Sequence, residues 1–272
     1  MTDEAAASAA DQFIITREDR RFAEFCESCR RARYIGLCYG VPGVGKTMSA
    51  REYAHWNELE SVLGPAPYRR GGLPPRDSGP WQTVLYTPGV VNTPRTVQRD
   101  VDHMWGRVFS LAAGSSWYAD REVNPDPRPP DLVIVDEADR LKTASLEQLR
   151  DLYDRRNIGL LLIGMPGLQK RLARYAQFSS RVGFVHQYQP LSGRELQHVI
   201  EHECVQLRLQ PPLADNTDAA VVNAIARVTG GNFRLVDRLF VEIQRVMAAN
   251  NLSTLTTEVV AFVRESLAVG TT

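Results

Sequence analysis

The sequence predicts an α/β fold: a five-stranded parallel sheet with helices on both faces, followed by an all-α region. Three observations carry this. Five short apolar runs alternate with helical stretches, which is the pattern of a parallel sheet covered on both sides. A glycine-rich segment, Gly40-Val41-Pro42-Gly43-Val44-Gly45-Lys46-Thr47, stands between the first apolar run and a stretch free of Gly and Pro. Beyond Pro190 the strands stop and only helical patterns follow. With 272 residues, 43% of them hydrophobic, the chain can bury one sizeable core and a satellite domain.

The elements follow in order. Residues 1–12 are Ala-rich and acidic at both ends, without the basic start and apolar core of a signal peptide. They predict a disordered tail over 1–15. No apolar run reaches the roughly eighteen residues of a membrane span, so the chain reads as cytoplasmic with no membrane partner. Thr16 and Asp19 form a capping box opening a helix to Arg33. Cys26 and Cys29 make a C-x-x-C, which invites zinc or redox chemistry. No second such pair or nearby His pair completes a tetrahedral site, and helical spacing puts both on one face with Phe22 and Phe25. We read them as core, and four cysteines (with Cys38 and Cys204) as suited to a reducing compartment.

Strands are expected at Tyr34–Tyr39, Thr83–Thr87, Asp131–Asp136, Ile158–Ile163 and Val182–Tyr188. A helix is expected over Met48–Leu59. Gly64–Pro80 and Asn124–Pro130 are Pro-rich and read as irregular connectors. Helices are expected at Ser192–Leu209, with Ser192 and Glu195 as a capping box, and at Thr217–Val228, Arg234–Ala249 and Thr256–Leu267. The switch near Pro190 sets the domains: tail 1–15, an α/β domain over 16–190, and a helical domain over 191–272.

The glycine-rich segment matches G-x-x-x-x-G-K-[ST], a phosphate-binding loop. Gly40, Gly43 and Gly45 let the backbone turn tightly against an anion. The loop N–H groups and the next helix N-terminus then face the phosphates. Lys46 adds charge, and the Thr47 hydroxyl can ligate Mg²⁺. Downstream, Leu132-Val133-Ile134-Val135 runs into Asp136-Glu137. Asp136 would hold Mg²⁺ beside Thr47, and Glu137 would act as general base on water. The bland reading of these acids is a solvated helix start; the upstream loop favours the chemical one.

With both motifs present the chain resembles the AAA+ ATPases. The resemblance implies a P-loop AAA+ core, a helical lid, and ATP with Mg²⁺ bound at a subunit interface. It implies nucleotide contacts from Gly40 through Met48 and catalytic roles for Lys46 and Glu137. The residue after the fourth strand should be a polar sensor, but Met165 stands there in Gly164-Met165-Pro166-Gly167. Methionine cannot usefully hydrogen-bond a phosphate, so slow hydrolysis is expected. Ser180-Arg181-Val182 resembles the Ser-Arg-Cys box of clamp loaders, making Arg181 an arginine finger supplied to a neighbour, with Arg171 and Arg174 as rivals. Thr229-Gly230-Gly231-Asn232-Phe233-Arg234 resembles the lid motif whose arginine, here Arg234, reaches ATP; Gly-Gly-Asn also suits a helix stop followed by an N-cap.

The small size, the loop form GVPGVGKT, Leu85–Arg95 and Ile163–Leu168 together look like the transposition regulators of the TnsC, TniB and Mu B-protein type. That resemblance implies an ATPase that oligomerises as a ring or filament on duplex DNA. It would recruit or activate a transposase, respond to a target-site adaptor, and use hydrolysis, stimulated by oligomerisation on DNA, to disassemble. Charge is balanced at 32 basic and 32 acidic residues, so any DNA surface must be local. Thr93 and Pro94 start a helix that would present Arg95, Thr96 and Arg99 to phosphates without reading sequence. A solvated helix face is the alternative, and Arg69, Arg70 and Arg76 are a rival cluster. Two other readings stay open: another AAA+ role, such as replication initiator, loader or secretion ATPase, and a nucleotide-gated scaffold with negligible turnover.

Overall fold

The computed structural model describes residues 13–63, 82–112, 130–207 and 216–266. The expected tail over 1–12, the Arg69, Arg70 and Arg76 cluster, and connector residues 124–129 lie outside the described residues. The rest forms two compact units.

One unit comprises residues 21–40 and 46–188. Its sheet has five parallel strands: β1 (Ile35–Tyr39), β2 (Thr83–Tyr86), β3 (Leu132–Val135), β4 (Gly159–Gly164) and β5 (Val182–Gln187), in the order β2-β3-β4-β1-β5. Each lies within a residue or two of its expected place. β3 and β4 are buried along their whole length, as their unbroken apolar sequence requires. β5, on the sheet edge, alternates in exposure. Asp131 and Asp136 flank β3 instead of belonging to it.

The core pairs the sheet with α1 (Arg17–Ala32), α4 (Pro94–Ala112) and α5 (Thr143–Arg156). α1 starts where the Asp19 N–H donates to Thr16 Oγ1 at 3.1 Å. It buries Phe22, Cys26 and Cys29 completely, and all four cysteines are free thiols. Burial pushes the Cys29 thiol up to about 12, so it stays neutral and inert at neutral pH. α5 stops at Asn157, a left-handed C-cap (φ 51) whose N–H donates to Tyr153 O.

One expectation is corrected. Met48–Leu59 is not a single helix. α2 (Lys46–Tyr53) ends, His55 turns left-handed at φ 50, and α3 (Trp56–Leu63) begins. The turn redirects the chain so that Trp56 and Leu59 are both buried. Two short helices, α6 (Leu168–Leu172) and α7 (Ala176–Ser179), connect β4 to β5.

The other unit gathers the described residues up to Arg20, the segment Val41–Gly45 and the chain from Gln189 onward. α8 (Gly193–Gln206), α9 (Asn216–Thr229), α10 (Phe233–Ala249) and α11 (Thr257–Ser266) enclose a core that includes Leu196, Ile225, Phe240, Ile243 and Val263, with Ile14 packed against it. The expected Ser192–Glu195 capping box is present.

Among the described residues no helix is long and apolar enough to cross a membrane.

A candidate nucleotide site at the end of the first strand

β1 hands the chain to the glycine-rich loop at the carboxyl end of the sheet. Here β1 lies between β4 and β5 while the chain continues to β2 at the far edge, and such a reversal leaves a crevice for ligands. Gly40 closes the strand: its N–H donates to Gly164 O at 3.3 Å. A Cβ there would stand 2.6 Å from Tyr188 O, so only glycine fits. Gly43 and Gly45 take φ of 80 and 111, conformations that other residues adopt at a cost.

Lys46 begins α2 and its ammonium donates to Gly40 O at 2.7 Å, folding back across the loop. On the next residue, Thr47 Oγ1 donates to Asp136 Oδ2 at 2.7 Å. Asp136 is 4% exposed; its N–H donates to Tyr86 O, and its other oxygen accepts the Glu137 N–H at 2.9 Å. The hydroxyl and carboxylate that the sequence assigned to one metal are therefore adjacent. Glu137 itself is left-handed (φ 51, ψ 42), and its carboxylate is ion-paired with Arg140.

Several participants gave no sequence signal. Arg140 Nη1 donates to Pro88 O at 3.1 Å, and Asn92 Nδ2 donates to both Gly89 O and Arg140 O at 3.0 Å. The loop after β2 is thus tied to the residue that holds Glu137. Asp139 Oδ2 accepts the Met165 N–H at 2.6 Å, so the turn after β4 is fixed through its backbone while the Met165 side chain is exposed.

The arginines divide. Arg181 lies at the amino end of β1, where its carbonyl accepts the Ile35 N–H at 3.1 Å. A five-residue strand at about 3.3 Å per residue puts it roughly 16 Å from Gly40, so it does not join Lys46 and Asp136 of its own chain. Its Nε donates to Asp154 Oδ1 at 2.7 Å. Arg171 donates to Asp139 O and Leu141 O, a structural role, and Arg174 is exposed. In the helical unit the Arg234 N–H donates to Gly43 O at 3.0 Å, and Arg234 is exposed at the start of α10.

Of the proposed DNA contacts, Arg95 is exposed in the first turn of α4. Thr96 is occupied in a reciprocal cap with Thr93, and the Arg99 guanidinium pairs with Asp100.

Residues 29–172, just over half the chain, match the family described as the AAA domain. The chain belongs to this family. The AAA chain is 39% identical over 268 residues to a "Potential ATP-binding protein" of Staphylococcus aureus, covering 95% of this chain and 97% of that one. It is 24% identical over 242 residues to the Mu-like prophage FluMu DNA transposition protein B of Haemophilus influenzae, covering 85% of this chain and 72% of that one. Among solved structures the Thermotoga maritima RuvB Holliday junction branch migration motor superposes with a TM-score of 0.57 at 16% identity, over 96% of this chain and 72% of that one. At that identity the likeness speaks for the AAA fold alone.

Proposed function

We propose that this AAA+ ATPase binds ATP and Mg²⁺ at Gly40–Met48 and regulates DNA transposition in the cytoplasm, assembling on duplex DNA and recruiting or activating a transposase. The observation that carries the transposition reading is the 24% identity, along 85% of the chain, with a DNA transposition protein B. The nucleotide reading rests on the pairing of Thr47 with Asp136 at 2.7 Å. Two hard oxygen donors at that spacing suit Mg²⁺, which Thr47 and Asp136 would hold. The glycine loop, turned tightly by the positive φ of Gly43 and Gly45, suits phosphates held by Lys46 and backbone N–H groups. When bound, the metal neutralises charge on the transferring phosphoryl group. Glu137 would orient the attacking water and accept its proton. Arg234 would contact the nucleotide from the helical lid, taken as 191–272, with the nucleotide-binding domain over 16–190.

Basal turnover is slow in this reading, because Arg140 occupies the Glu137 carboxylate and Met165 offers no polar sensor. Arg181, remote from its own loop, would serve a neighbour's site; such a finger is worth roughly 10³–10⁵ in rate. Arg95 would grip DNA phosphates without sequence preference, with Thr96 and Arg99 nearby and a target-site adaptor as a further partner.

Electron microscopy of the protein with a non-hydrolysable ATP analogue and duplex DNA tests the reading. Rings or filaments on unrelated sequences, with affinity falling steeply as salt rises, are expected. Failure to bind DNA with the analogue, or salt-insensitive binding, rejects it. Met165, which stands exposed after the fourth strand and offers no polar group to a phosphate, favours a second reading, a nucleotide-gated scaffold with negligible turnover. Equal lifetimes of wild-type and Glu137→Gln assemblies on DNA would select that one.

A further inference from the structure

We infer that Asn232 is a positioning residue for the phosphate-binding loop: together with the Arg234 N–H it holds two loop carbonyls and so aims two loop N–H groups at phosphate. The inference rests on reading Gly40–Thr47 as the nucleotide site. Asn232 and Arg234 belong to the same compact unit as Val41–Gly45. Asn232 Nδ2 donates to Pro42 O at 2.7 Å, and the Arg234 N–H donates to Gly43 O at 3.0 Å.

The consequence follows from peptide geometry. No described peptide bond is cis. In a planar trans peptide the C=O and the N–H point in opposite directions. The Pro42 carbonyl shares its peptide with the Gly43 N–H, and the Gly43 carbonyl with the Val44 N–H. Holding both carbonyls against the start of α10 turns both N–H groups away from that helix, leaving them to line the loop's other side. Two donors are thereby oriented before any anion arrives, and a preorganised donor costs no reorganisation when the ligand binds.

The fit is close. A Cβ at Gly43 would stand 2.5 Å from Asn232 Oδ1 and 2.9 Å from Arg234 Cβ. The amide orientation is set by its two partners. Oδ1 accepts the Leu235 N–H at 3.3 Å as the N-cap of α10, while Nδ2 faces a carbonyl. One side chain thus caps a helix with its oxygen and holds the loop with its nitrogen.

These two jobs can be separated. Asn232→Ser and Asn232→Asp both keep a good capping oxygen, and both lose the donor to Pro42. The thermal midpoint of the nucleotide-free protein and the affinity for a fluorescent ATP analogue with Mg²⁺ are measured for each. The expected result is a midpoint close to wild type with affinity weakened about three- to tenfold in the Ser variant, and further in the Asp variant because of its charge. KM for ATP should rise with kcat less changed. Wild-type affinity in whichever variant folds overturns the inference. So does an affinity loss that only parallels a loss of nucleotide-free stability, since that is the signature of the cap. If wild-type protein itself does not bind the analogue, the nucleotide-site reading fails instead.

Discussion

In the proposed chemistry Glu137 would activate the attacking water, and two local interactions decide how it is presented. Its left-handed backbone costs a non-glycine residue about 1–2 kcal/mol, offset in part by the N–H bond to Asp136. Its carboxylate pairs with Arg140, with side chains 46% and 39% exposed. An ion pair that exposed is worth about 0–1 kcal/mol, so it restrains the base without trapping it. Arg140→Ala should therefore raise DNA-independent phosphate release by up to about fivefold; a fall would mean that Arg140 supports the reaction. At Asp136, replacement by Asn keeps the shape and removes the charge beside Thr47. Hydrolysis should drop by roughly a hundredfold while analogue binding without Mg²⁺ changes little, as a magnesium titration would report.

At the scale of elements, α1 packs closely on the sheet. A Cβ at Gly36 of β1 would reach 2.9 Å from Phe25 Cζ and overlap the Cys29 sulfur. Gly36→Ala should destabilise the fold by about 1–3 kcal/mol, visible as a lower urea midpoint. At the exposed side of α1, Glu27 is bonded first to Arg30 and also to Arg31 and Tyr53, which hold its carboxyl down at about 2 from an ordinary 4.5. A depressed carboxyl stabilises the folded state above the unfolded value and loses that contribution as pH falls through the folded one. The stability gap between wild type and Glu27→Gln should thus be constant near neutrality and narrow from about pH 4.5 toward pH 2. The strands were legible because each is a short apolar run, and the placement of the loop and Asp136 because each motif is written in consecutive residues. The turn at His55 was not: Ala54-His55 holds no Gly or Pro, and burial of Trp56 and Leu59 sets it. Nor were Arg140–Pro88 and Asn232–Pro42, which join residues 52 and 190 positions apart without any periodic signal.

For the whole molecule, the proposed assembly makes a complete site from two chains, and mixing variants tests it. Arg181→Ala keeps its own Glu137, and Glu137→Gln keeps its own Arg181. Each should be nearly inactive alone. Mixed equally on DNA, about a quarter of head-to-tail neighbours would combine one intact base with one intact finger, restoring activity in proportion. No recovery would mean that Arg181 does not act on a neighbour. The bond between Thr47 and Asp136 carries a different consequence, for the order of events in biosynthesis. It joins positions 89 apart, and β4 lies between the strands that deliver them. Closing so long a loop has no reward until β4 has paired on both sides. A nascent chain that has emerged only as far as Ile158 already owns its lysine, its threonine and both carboxylates. It still has nothing to hold them together, and the proposed nucleotide site cannot begin to form before the next six residues arrive.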